Sequence, residues 1–362
     1  MTNAATSLAG KSVIALDAMG GDHAPGIVVD GAALARERHP ELRFIFFGNE
    51  SDIAPLIAKH PILRDCSTLR HTPDVITSDT KPSLALRQGR QSSMRLAINA
   101  VAAGEAESVV SAGNTGALMA MAKFVLKTMP GIDRPAIATI IPTQTGETVM
   151  LDLGANIECD AENLVQFALM GAIFSTAVLG HPQPSIGLLN IGTEELKGHD
   201  EVRIAASILR ERPIPGRLHG FVEGNDITAG TVDVVVTDGF SGNIALKSIE
   251  GTAHLISHFL RQAFASSLIA RLGYLLSMGA FRRLRKRVDP RRYNGAMFLG
   301  LQGVCVKSHG GTDAEGFANA IGVARDLVAR GFNQRIAEEL ARQYGITATA
   351  EDMPVLPTGD AS

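Results

Sequence analysis

Short apolar runs of strand length recur along the chain, and alanine-rich segments of helical length separate most of them. The runs are rich in Val and Ile, which favour extended backbone. The predicted strands are Ser12–Leu16, Phe44–Phe47, Ser108–Ser111, Ile137–Ile141, Thr148–Leu153, Ile186–Asn190 and Val232–Val236. The predicted helices include Pro82–Ala103, Ala117–Thr128 and Ala161–Leu179.

This alternation predicts the fold class. A strand, a helix and a further strand in succession form the βαβ pattern of an α/β protein. Because the strands are almost continuously apolar, we expect a mainly parallel sheet that helices cover on both faces. The sequence therefore predicts a Rossmann-like, three-layer α/β fold.

One segment departs from the pattern. Leu255–Phe281 carries bulky apolar residues with Arg261 and Arg271 as its only fixed charges, and Arg282–Arg292 holds seven basic residues and one acid, Asp289. This predicts a helical hairpin that leaves the α/β body. The expected organisation is a polar tail at 1–10, a single two-lobed α/β domain at 11–345 with the helical excursion at about 251–292, and a loose tail at 346–362.

Composition narrows the class of protein. The chain has 362 residues, of which 45% are hydrophobic, so it can bury a large core. Its three cysteines lack metal-ligand spacing and are expected to be reduced thiols of a cytosolic protein. We find no signal peptide and no uninterrupted apolar stretch of membrane-spanning length. The formal net charge of -3 argues against a general nucleic-acid binder.

Four glycine-bearing turns follow predicted strands. Glycine lets backbone N–H groups surround an anion, and a following helix adds partial positive charge, so these turns are candidate anion sites. Each turn alone has an ordinary explanation, because Asn and Thr commonly cap helices. The turns are Asp17–His23, Ser111–Gly116, Asn190–Glu194 and Thr237–Asn243.

Several common site types are excluded. No turn continues into the Gly-Lys-Ser/Thr of a nucleotide-binding loop, and none has the spaced glycines and acidic residue of a dinucleotide site. The sequence also lacks a Gly-x-Ser-x-Gly elbow and a pair of histidines on one helical face. We therefore expect chemistry that uses no cofactor and no metal.

Two polar residues stand out as candidates for charge stabilisation. Lys197 lies in a glycine-bounded loop, and Asn243 ends the fourth turn. A lysine and an amide donor together suit a reaction in which an oxyanion develops. The ordinary alternatives are an exposed loop lysine and a helix cap. Asp17, Asp22 and His23 in the first turn could orient a substrate or make local turn bonds.

Six strings in one order resemble the PlsX family of phosphate acyltransferases. They are Ala15-Leu-Asp-Ala-Met-Gly-Gly-Asp-His-Ala-Pro25, Ser111-Ala-Gly-Asn-Thr-Gly-Ala-Leu118, Gly131-Ile-Asp-Arg-Pro-Ala136, Leu151-Asp-Leu-Gly-Ala-Asn156, Gly187-Leu-Leu-Asn-Ile-Gly-Thr-Glu194 and Val234-Val-Val-Thr-Asp-Gly-Phe-Ser-Gly-Asn243. The resemblance implies reversible transfer of a long-chain fatty acyl group from acyl-carrier protein to inorganic phosphate. The acyl phosphate formed would serve phospholipid synthesis.

The resemblance also implies a fold similar to the isocitrate and isopropylmalate dehydrogenase group, a homodimer, and peripheral association with the inner face of the cell membrane near the downstream glycerol-3-phosphate acyltransferase. Lys197 and Asn243 match residues implicated in catalysis. The expected substrate-binding residues are Asp17, Gly20, Gly21, Asp22, His23, Gly113, Asn114, Thr115, Gly116, Asn156, Gly192, Thr193, Asp238, Gly239, Ser241 and Gly242.

Two other functions stay open at this point. A short-chain phosphotransacylase that uses acyl-coenzyme A would need similar anion-binding turns and no metal. A non-catalytic scaffold on the membrane would depend on the Leu255–Arg292 segment alone. That segment carries an apolar stripe of Leu255, Phe259, Leu268 and Leu272, which suits a membrane surface or a dimer interface, and its basic cluster also suits an acidic carrier protein.

Overall fold

The computed structural model describes residues 12–288 and 290–344, so the tails predicted at 1–10 and 346–362 lie outside the described residues. The strands in this part of the chain are β1 (Val13–Asp17), β2 (Arg43–Gly48), β3 (Ser67–His71), β4 (Ser108–Ser111), β5 (Ala136–Pro142), β6 (Glu147–Leu151), β7 (Ser185–Leu189), β8 (Arg217–Val222), β9 (Val234–Val236), β10 (Ala296–Leu299) and β11 (Val304–Lys307). The helices are α1 (Gly26–Arg38), α2 (Glu50–Ala58), α3 (Pro82–Gln88), α4 (Ser93–Ala102), α5 (Thr115–Leu126), α6 (Ala161–Phe174), α7 (Asp200–Glu211), α8 (Gly224–Ala229), α9 (Gly239–Ala265), α10 (Leu268–Val288), α11 (Ala314–Ala329) and α12 (Phe332–Tyr344).

All these strands form one sheet in the order β3-β2-β1-β4-β11-β10-β5-β6-β9-β7-β8. Seven neighbouring pairs are parallel, and the pairs β11–β10, β10–β5 and β5–β6 are antiparallel. Because three reversals separate β11 from β6, the strands β6, β9, β7 and β8 run opposite to β1 through β4. The carboxyl ends of the two halves therefore lie at opposite edges of the sheet.

Two hydrophobic cores, one on each face of the sheet, confirm the predicted three-layer α/β architecture. Along β1, Ile14 and Leu16 belong to the core that includes α1, α6 and α11, whereas Ala15 belongs to the core formed with α4 and α5. Alternate residues of a strand point to opposite faces, so a strand with helices on both sides is apolar at every position. This explains the continuous apolar runs in the sequence.

Two predicted helices differ from the structure. Pro82–Ala103 is two helices, because α3 ends at Gln88 and the side chain of Ser92 starts α4 by accepting the backbone N–H of Arg95 at 3.3 Å. Ala161–Leu179 is α6 followed by a wider helical turn at Ser175–Leu179, and it stops at Gly180, whose φ is 80°. By length and composition this segment could cross a membrane, but 78% of its apolar window is buried in the protein.

The sequence analysis did not predict four strands, which are β3, β8, β10 and β11. The residues of β3 are mostly exposed and polar, and β10 and β11 have only four residues each. Edge position and shortness both weaken the apolar signal that identifies a strand. The predicted strand Val232–Val236 also begins two residues later, at Val234.

The predicted helical excursion is the hairpin of α9 and α10. Phe264 packs against Tyr274 and Phe281, with ring centroids 5.4 and 4.9 Å apart, and these contacts hold the two helices together. The predicted basic cluster Arg282–Arg292 falls largely on side chains outside the described residues, as does Asp289. Arg291 pairs with Asp313 at 2.9 Å.

Candidate functional site

A buried carboxylate ends the first strand. Asp17 is 1% exposed, and its oxygens accept hydrogen bonds from the hydroxyls of Ser93 and Ser111, each at 2.6 Å. Burial raises the pKa of Asp17, and the two hydroxyls act in the opposite direction. Because Ser93 begins α4 and Ser111 ends β4, Asp17 connects three elements at the carboxyl edge of the first half-sheet.

Glycine lets the turn after β1 lie against this carboxylate. A Cβ at Gly20 would come within 2.5 Å of Asp17 Oδ2 and 2.7 Å of the backbone nitrogen of Gly113. Gly21 has a φ of 105°, which residues with a side chain rarely adopt. His23, later in the same turn, is exposed. The structure thus brings the predicted turns after β1 and β4 into contact.

The turn after β4 begins α5 with a capped end. The side-chain oxygen of Asn114 accepts the backbone N–H of Ala117 at 3.0 Å, and its amide group donates to two carbonyl oxygens of the 77–80 segment at 2.8 and 2.9 Å. Asn114 therefore has the capping role that the sequence left open. In the described part of the chain, the backbone N–H groups of Thr115 and Gly116 have no acceptor, as is usual in a first helical turn.

A third turn at this edge was missed by the sequence analysis. β11 ends at Lys307, whose ammonium group donates to the carbonyl oxygens of Ala112, at 3.3 Å, and of the residue that follows Lys307. The backbone N–H of Asp22 donates to the carbonyl oxygen of Gly310 at 2.9 Å. The sequence holds a signal for this turn, because the glycine-bearing segment Ser308–Asp313 lies between an apolar run and a helix.

Burial and neighbouring charges both change the pKa values of two residues at this third turn, Lys307 and His309. Burial lowers the pKa of Lys307 to about 8, with Asp17 and Asp22 raising it and Lys247 of α9 lowering it further. Partial burial also lowers the pKa of His309, and the charges of Lys247 and Lys307 act in the same direction. Lys247 therefore lies close enough to both groups for its charge to affect their protonation.

A second buried carboxylate lies just after β6, at the other edge of the sheet. One oxygen of Asp152 accepts the backbone N–H groups of Ile137 and Ala155 at 2.8 and 3.1 Å. The other accepts the backbone and side-chain N–H groups of Asn156 at 2.7 and 3.0 Å. The side-chain amide of Asn156 also donates to the carbonyl of Pro135 at 2.8 Å. The predicted residue Asn156 is thus held rigidly by Asp152, a residue to which the sequence analysis gave no role.

The start of α9 rests on this network. Asp238 caps the helix by accepting the backbone N–H of Ser241 at 2.8 Å. The backbone N–H of Gly239 donates to the carbonyl oxygen of Asn156 at 2.7 Å, and a Cβ at Gly239 would come within 2.5 Å of that oxygen. The first turn of α9 and the loop after β6 therefore form one structural unit.

Asn243 lies on the surface of this unit. It is the fifth residue of α9 and is exposed, so the alternative that Asn243 caps the helix is wrong, since Asp238 does so. A Cβ at Gly154 would lie 3.6 Å from the Cβ of Asn243, which places that side chain over the loop after β6. A Cβ at Gly242 would overlap the carbonyl oxygen of Asp152. The close packing of Gly154 and Gly242 fixes the position of the backbone from which the Asn243 side chain extends.

Lys197 lies on the loop after β7 and is exposed. Its backbone N–H donates to the carbonyl of Glu194 at 3.0 Å, and its carbonyl accepts the side-chain amide of Asn190 at 3.0 Å. A Cβ at Gly192 would come within 3.2 Å of the Lys197 Cγ. Thr193, on the same loop, lines a cavity of about 620 Å³ between the loop, α7 and β8. These contacts shape the loop and leave the ammonium group in solvent.

The strand register divides the four predicted turns into two groups. Leu151 of β6 pairs with Val236 of β9, and Val236 pairs with Leu188 of β7, so the loops that carry Asn156, Asn243 and Lys197 follow neighbouring strand ends. The turns after β1 and β4 lie at the opposite edge. Helix α9 starts beside Asp152, and the charge of Lys247 in its third turn lowers the pKa of Lys307.

Large apolar side chains are exposed beside the polar residues of the second group. Each one is adjacent in sequence to a candidate residue on the loops after β6 and β7 or in the first turns of α9. The five are Ile157 at 72% exposed, Ile191 at 77%, Leu196 at 86%, Phe240 at 60% and Ile244 at 50%. Several exposed apolar side chains on neighbouring loops are typical of a binding surface.

Within the part of the chain that the structure describes, no metal-binding group of side chains accompanies these residues, and the thiol of Cys159 is unreactive. Across residues 12–288 and 290–344, no three or more His, Cys, Asp and Glu side chains are grouped so that they could hold a metal ion. Burial raises the pKa of the Cys159 thiol to about 12, and the Asp152 charge adds to this effect. A thiol with so high a pKa is a poor nucleophile at neutral pH.

Comparisons with known proteins agree on one family. The model of the family described as "Fatty acid synthesis protein" matches residues 12–335. The phosphate acyltransferase of Rhodospirillum centenum is 69% identical over 338 residues, covering 93% of this chain and 95% of that protein. The phosphate acyltransferase of Rhodospirillum rubrum is 59% identical over 337 residues, covering 93% and 97%.

A solved structure has the same fold. The phosphotransacetylase from Streptococcus pyogenes superposes with a TM-score of 0.59 and 18% sequence identity, covering 88% of this chain and 94% of that one. At this identity the likeness concerns the fold, and it agrees with the α/β architecture expected from the sequence.

Proposed function

The chain belongs to the fatty acid synthesis protein family, and from this premise we propose that it is a phosphate acyltransferase that moves a long-chain fatty acyl group from acyl-carrier protein to inorganic phosphate. The product is acyl phosphate for phosphatidic acid synthesis. The names of its relatives support acyl transfer to phosphate. The motif resemblance supports acyl-carrier protein as the donor.

The observation that carries this proposal is the set of five exposed apolar side chains around Lys197 and Asn243. A thioester has a polar reacting centre and an apolar acyl chain. Polar side chains for the carbonyl and apolar side chains for the acyl chain therefore need to lie side by side, as they do on the loops after β6 and β7 and in the first turns of α9. An acetyl group would cover little of this apolar surface, so the arrangement favours a long acyl chain.

The proposed reaction is a single acyl transfer. A phosphate oxygen forms a bond to the thioester carbonyl carbon, the carbonyl oxygen becomes an oxyanion, and its collapse breaks the carbon–sulfur bond. The thiolate leaves with the bonding electron pair and takes up the proton that hydrogen phosphate gives up. A thiol has a pKa of about 8.5, so it leaves without a strong acid. Lys197 supplies positive charge to the oxyanion, and the Asn243 amide donates a hydrogen bond to it.

Replacing Lys197 by Ala tests this assignment. We expect kcat with palmitoyl-acyl-carrier protein and radiolabelled phosphate to fall about a hundredfold, because loss of one oxyanion donor typically has that effect. The control is Lys59→Ala, an exposed lysine at the end of α2 in the other half of the protein. Full activity in Lys197→Ala, with unchanged circular dichroism, would reject the role of Lys197.

The identity of the donor needs a separate comparison. We expect turnover of palmitoyl-acyl-carrier protein to exceed that of acetyl-coenzyme A, because the short acyl group leaves the exposed apolar side chains uncovered. A preference for acetyl-coenzyme A would instead identify a short-chain phosphotransacylase. Absence of acyl phosphate with either donor would favour the non-catalytic scaffold.

The hairpin of α9 and α10 supports peripheral membrane association. Leu268, Ile269 and Leu276 are 81, 84 and 82% exposed, although most apolar side chains of a helical hairpin would be expected to pack inward. The apolar surface continues along Leu255 and Leu272. Such a surface, followed by basic residues, suits an anionic lipid bilayer. We propose a homodimer at the inner face of the membrane, near the glycerol-3-phosphate acyltransferase that consumes the product.

A further inference from the structure

We propose that the acidic acyl-carrier protein docks on one surface of helices α3, α4 and α5. We name this the α3–α5 surface, and its residues are Arg87, Arg90, Arg95, Lys123 and Phe124. The inference rests on the proposed function, because the carrier protein is the acyl donor of that reaction. It assigns the protein part of the donor to a place that is separate from Lys197 and Asn243.

The three helices carry basic residues and no acidic ones. Among the helices α1–α12 of the described chain, only α10 shares this absence of acids. Residues 81–127 hold six basic residues and two acids, in a chain whose formal net charge is -3. Both acids follow α4 and have other partners, since Glu105 pairs with Arg70 and Glu107 accepts the hydroxyl of Ser12 at 2.6 Å. The helices therefore present positive charge on an acidic protein.

The basic side chains of the α3–α5 surface have no carboxylate partner within the part of the chain that the structure describes. Eight other arginines form ion pairs there, whereas the four basic residues of this surface form none. Acids do flank these helices, at Asp74, Asp79 and Asp133. Asp79 accepts the hydroxyl of Thr77 at 2.6 Å, and Asp133 accepts the side-chain amide of Gln166 at 3.1 Å. The unpaired cations are therefore available to the carboxylates of another protein.

Close packing places α3 along α5. A Cβ at Gly116, in the first turn of α5, would come within 2.8 Å of the Pro82 ring at the start of α3. A Cβ at Gly89, just after α3, would come within 2.8 Å of the Met121 side chain in the middle of α5. The exposed residue Arg90 follows Gly89 directly and so lies beside α5. Buried residues of all three helices belong to the core on the same face of the sheet.

An exposed aromatic ring accompanies the charges. Phe124 of α5 is 62% exposed, and the guanidinium of Arg95 lies over its ring, 5.1 Å from the centroid. The Nε of Arg95 donates to the side-chain oxygen of Asn99 at 3.1 Å, which holds the guanidinium in place. Arginine and aromatic side chains are enriched in protein interfaces and in the residues that contribute most to binding. A fixed Arg–Phe pair therefore favours a protein partner.

Two hydrogen bonds connect the α3–α5 surface to the loop after β6. The ammonium group of Lys123 donates to the carbonyl oxygen of Asp133 at 3.4 Å. The guanidinium of the next residue, Arg134, donates to the carbonyl oxygen of Glu158 at 3.4 Å. Glu158 follows Ile157, one of the exposed apolar side chains of the proposed donor site. A carrier protein docked on this surface would therefore have its flexible prosthetic arm beside the loops that bind the thioester.

Charge complementarity selects the carrier protein over a second copy of this chain. A two-fold dimer built on the α3–α5 surface would bring the same basic residues of both copies together, because each copy contributes the same surface. Like charges that face each other weaken such a contact. An acidic carrier protein instead places carboxylates against them, and the attraction between opposite charges also speeds the encounter.

Reversal of two charges tests the inference in the intact enzyme. Arg87→Glu combined with Arg90→Glu should raise the KM for palmitoyl-acyl-carrier protein about tenfold or more and leave the KM for phosphate unchanged, because steering between opposite charges changes association by that order. Both side chains are exposed, and the matched control reverses two other exposed charges, with Lys59→Glu and Arg64→Glu. Added salt should raise the wild-type KM for the carrier-protein donor and have little effect on that of the Arg87 and Arg90 variant.

Palmitoyl-pantetheine separates docking from chemistry, since it has the same thioester without the protein. The Arg87 and Arg90 variant should turn over palmitoyl-pantetheine as fast as the control variant does. Equal losses with both donors would overturn the inference, because the two arginines would then act on the reaction itself. An unchanged KM for palmitoyl-acyl-carrier protein, in an enzyme that turns over, would also overturn it and leave the proposed function intact.

Binding of acyl-free carrier protein, measured by isothermal titration calorimetry, requires no reaction. We expect the Kd to rise about tenfold or more in the Arg87 and Arg90 variant and to stay unchanged in the control. That result without acyl transfer from any donor would support the docking surface and reject the proposed function. A variant that binds carrier protein normally but loses flotation with anionic vesicles, or loses self-association, would overturn the inference in favour of a lipid contact or a second copy.

Discussion

Asp152→Asn removes one acceptor atom from the buried carboxylate beneath α9. The wild-type carboxylate accepts four hydrogen bonds, three from the backbone of Ile137, Ala155 and Asn156 and one from the Asn156 side chain. An asparagine has a single acceptor oxygen, and its amide group must face two of these donors. If the oxygen of the new asparagine still accepts the N–H groups of Ile137 and Ala155, the backbone N–H of Asn156 loses its acceptor.

The expected loss of stability follows from the number of hydrogen bonds that Asp152→Asn removes. A buried N–H group without a partner costs about 1–3 kcal/mol. The Asn156 side chain can turn its oxygen towards the new amide, but it then gives up its 2.8 Å bond to the carbonyl of Pro135, which is worth about 1 kcal/mol. Because burial raises the pKa of Asp152, removing the charge offsets part of this loss. We therefore expect a net loss of about 2 kcal/mol in the free energy of unfolding.

Urea denaturation followed by circular dichroism measures this loss, with the midpoint falling and the slope m unchanged. Asp238→Asn is the matched control, since Asp238 accepts the Ser241 N–H as a helix cap and Asn caps equally well. We expect kcat to fall in the Asp152 variant, because Gly239 of α9 bonds to the Asn156 carbonyl, and the Asp238 variant serves as a control for stability only. Equal stability of the two variants would refute the role of Asp152 in holding the start of α9.

Two further predictions concern α9 and the hairpin. Gly242→Ala should lower the free energy of unfolding by about 2 kcal/mol or more and should also slow acyl transfer, because its Cβ would overlap the Asp152 carbonyl. Gly251→Ala, on the exposed part of the same helix, should instead stabilise the protein by up to about 1 kcal/mol. The midpoints of urea denaturation distinguish the two variants. Leu268→Glu combined with Leu272→Glu should abolish flotation with anionic vesicles without changing kcat on soluble substrates, and undiminished flotation would exclude the hairpin as the membrane contact.

The local features of the fold could be predicted from the sequence. The apolar runs gave most strands to within about two residues, since a strand covered on both faces needs apolar side chains at each position. The break between α3 and α4 was missed although Gly89–Ser92 holds a glycine and no apolar side chain, which is a turn signal. The resemblance of six motifs predicted the family, which the comparisons confirm, and the site residues carried over from it stay predictions.

The strand order and direction could not be predicted, since they depend on residues far apart in the chain. β10 and β11 are four residues long, yet their insertion between β4 and β5 reverses the second half of the sheet and separates the predicted turns into two groups. Asp152 and Lys307 likewise gain partners through strand pairing, since Asp152 accepts the N–H of Ile137 at the end of the β5–β6 pair and Lys307 donates to Ala112 beside β4. The sequence by itself determined the α/β class, the glycine turns and the family, because these depend on neighbouring residues. Only the tertiary structure decided which turns meet, because the strand order that brings the turns after β1 and β4 together depends on contacts between residues far apart in the chain.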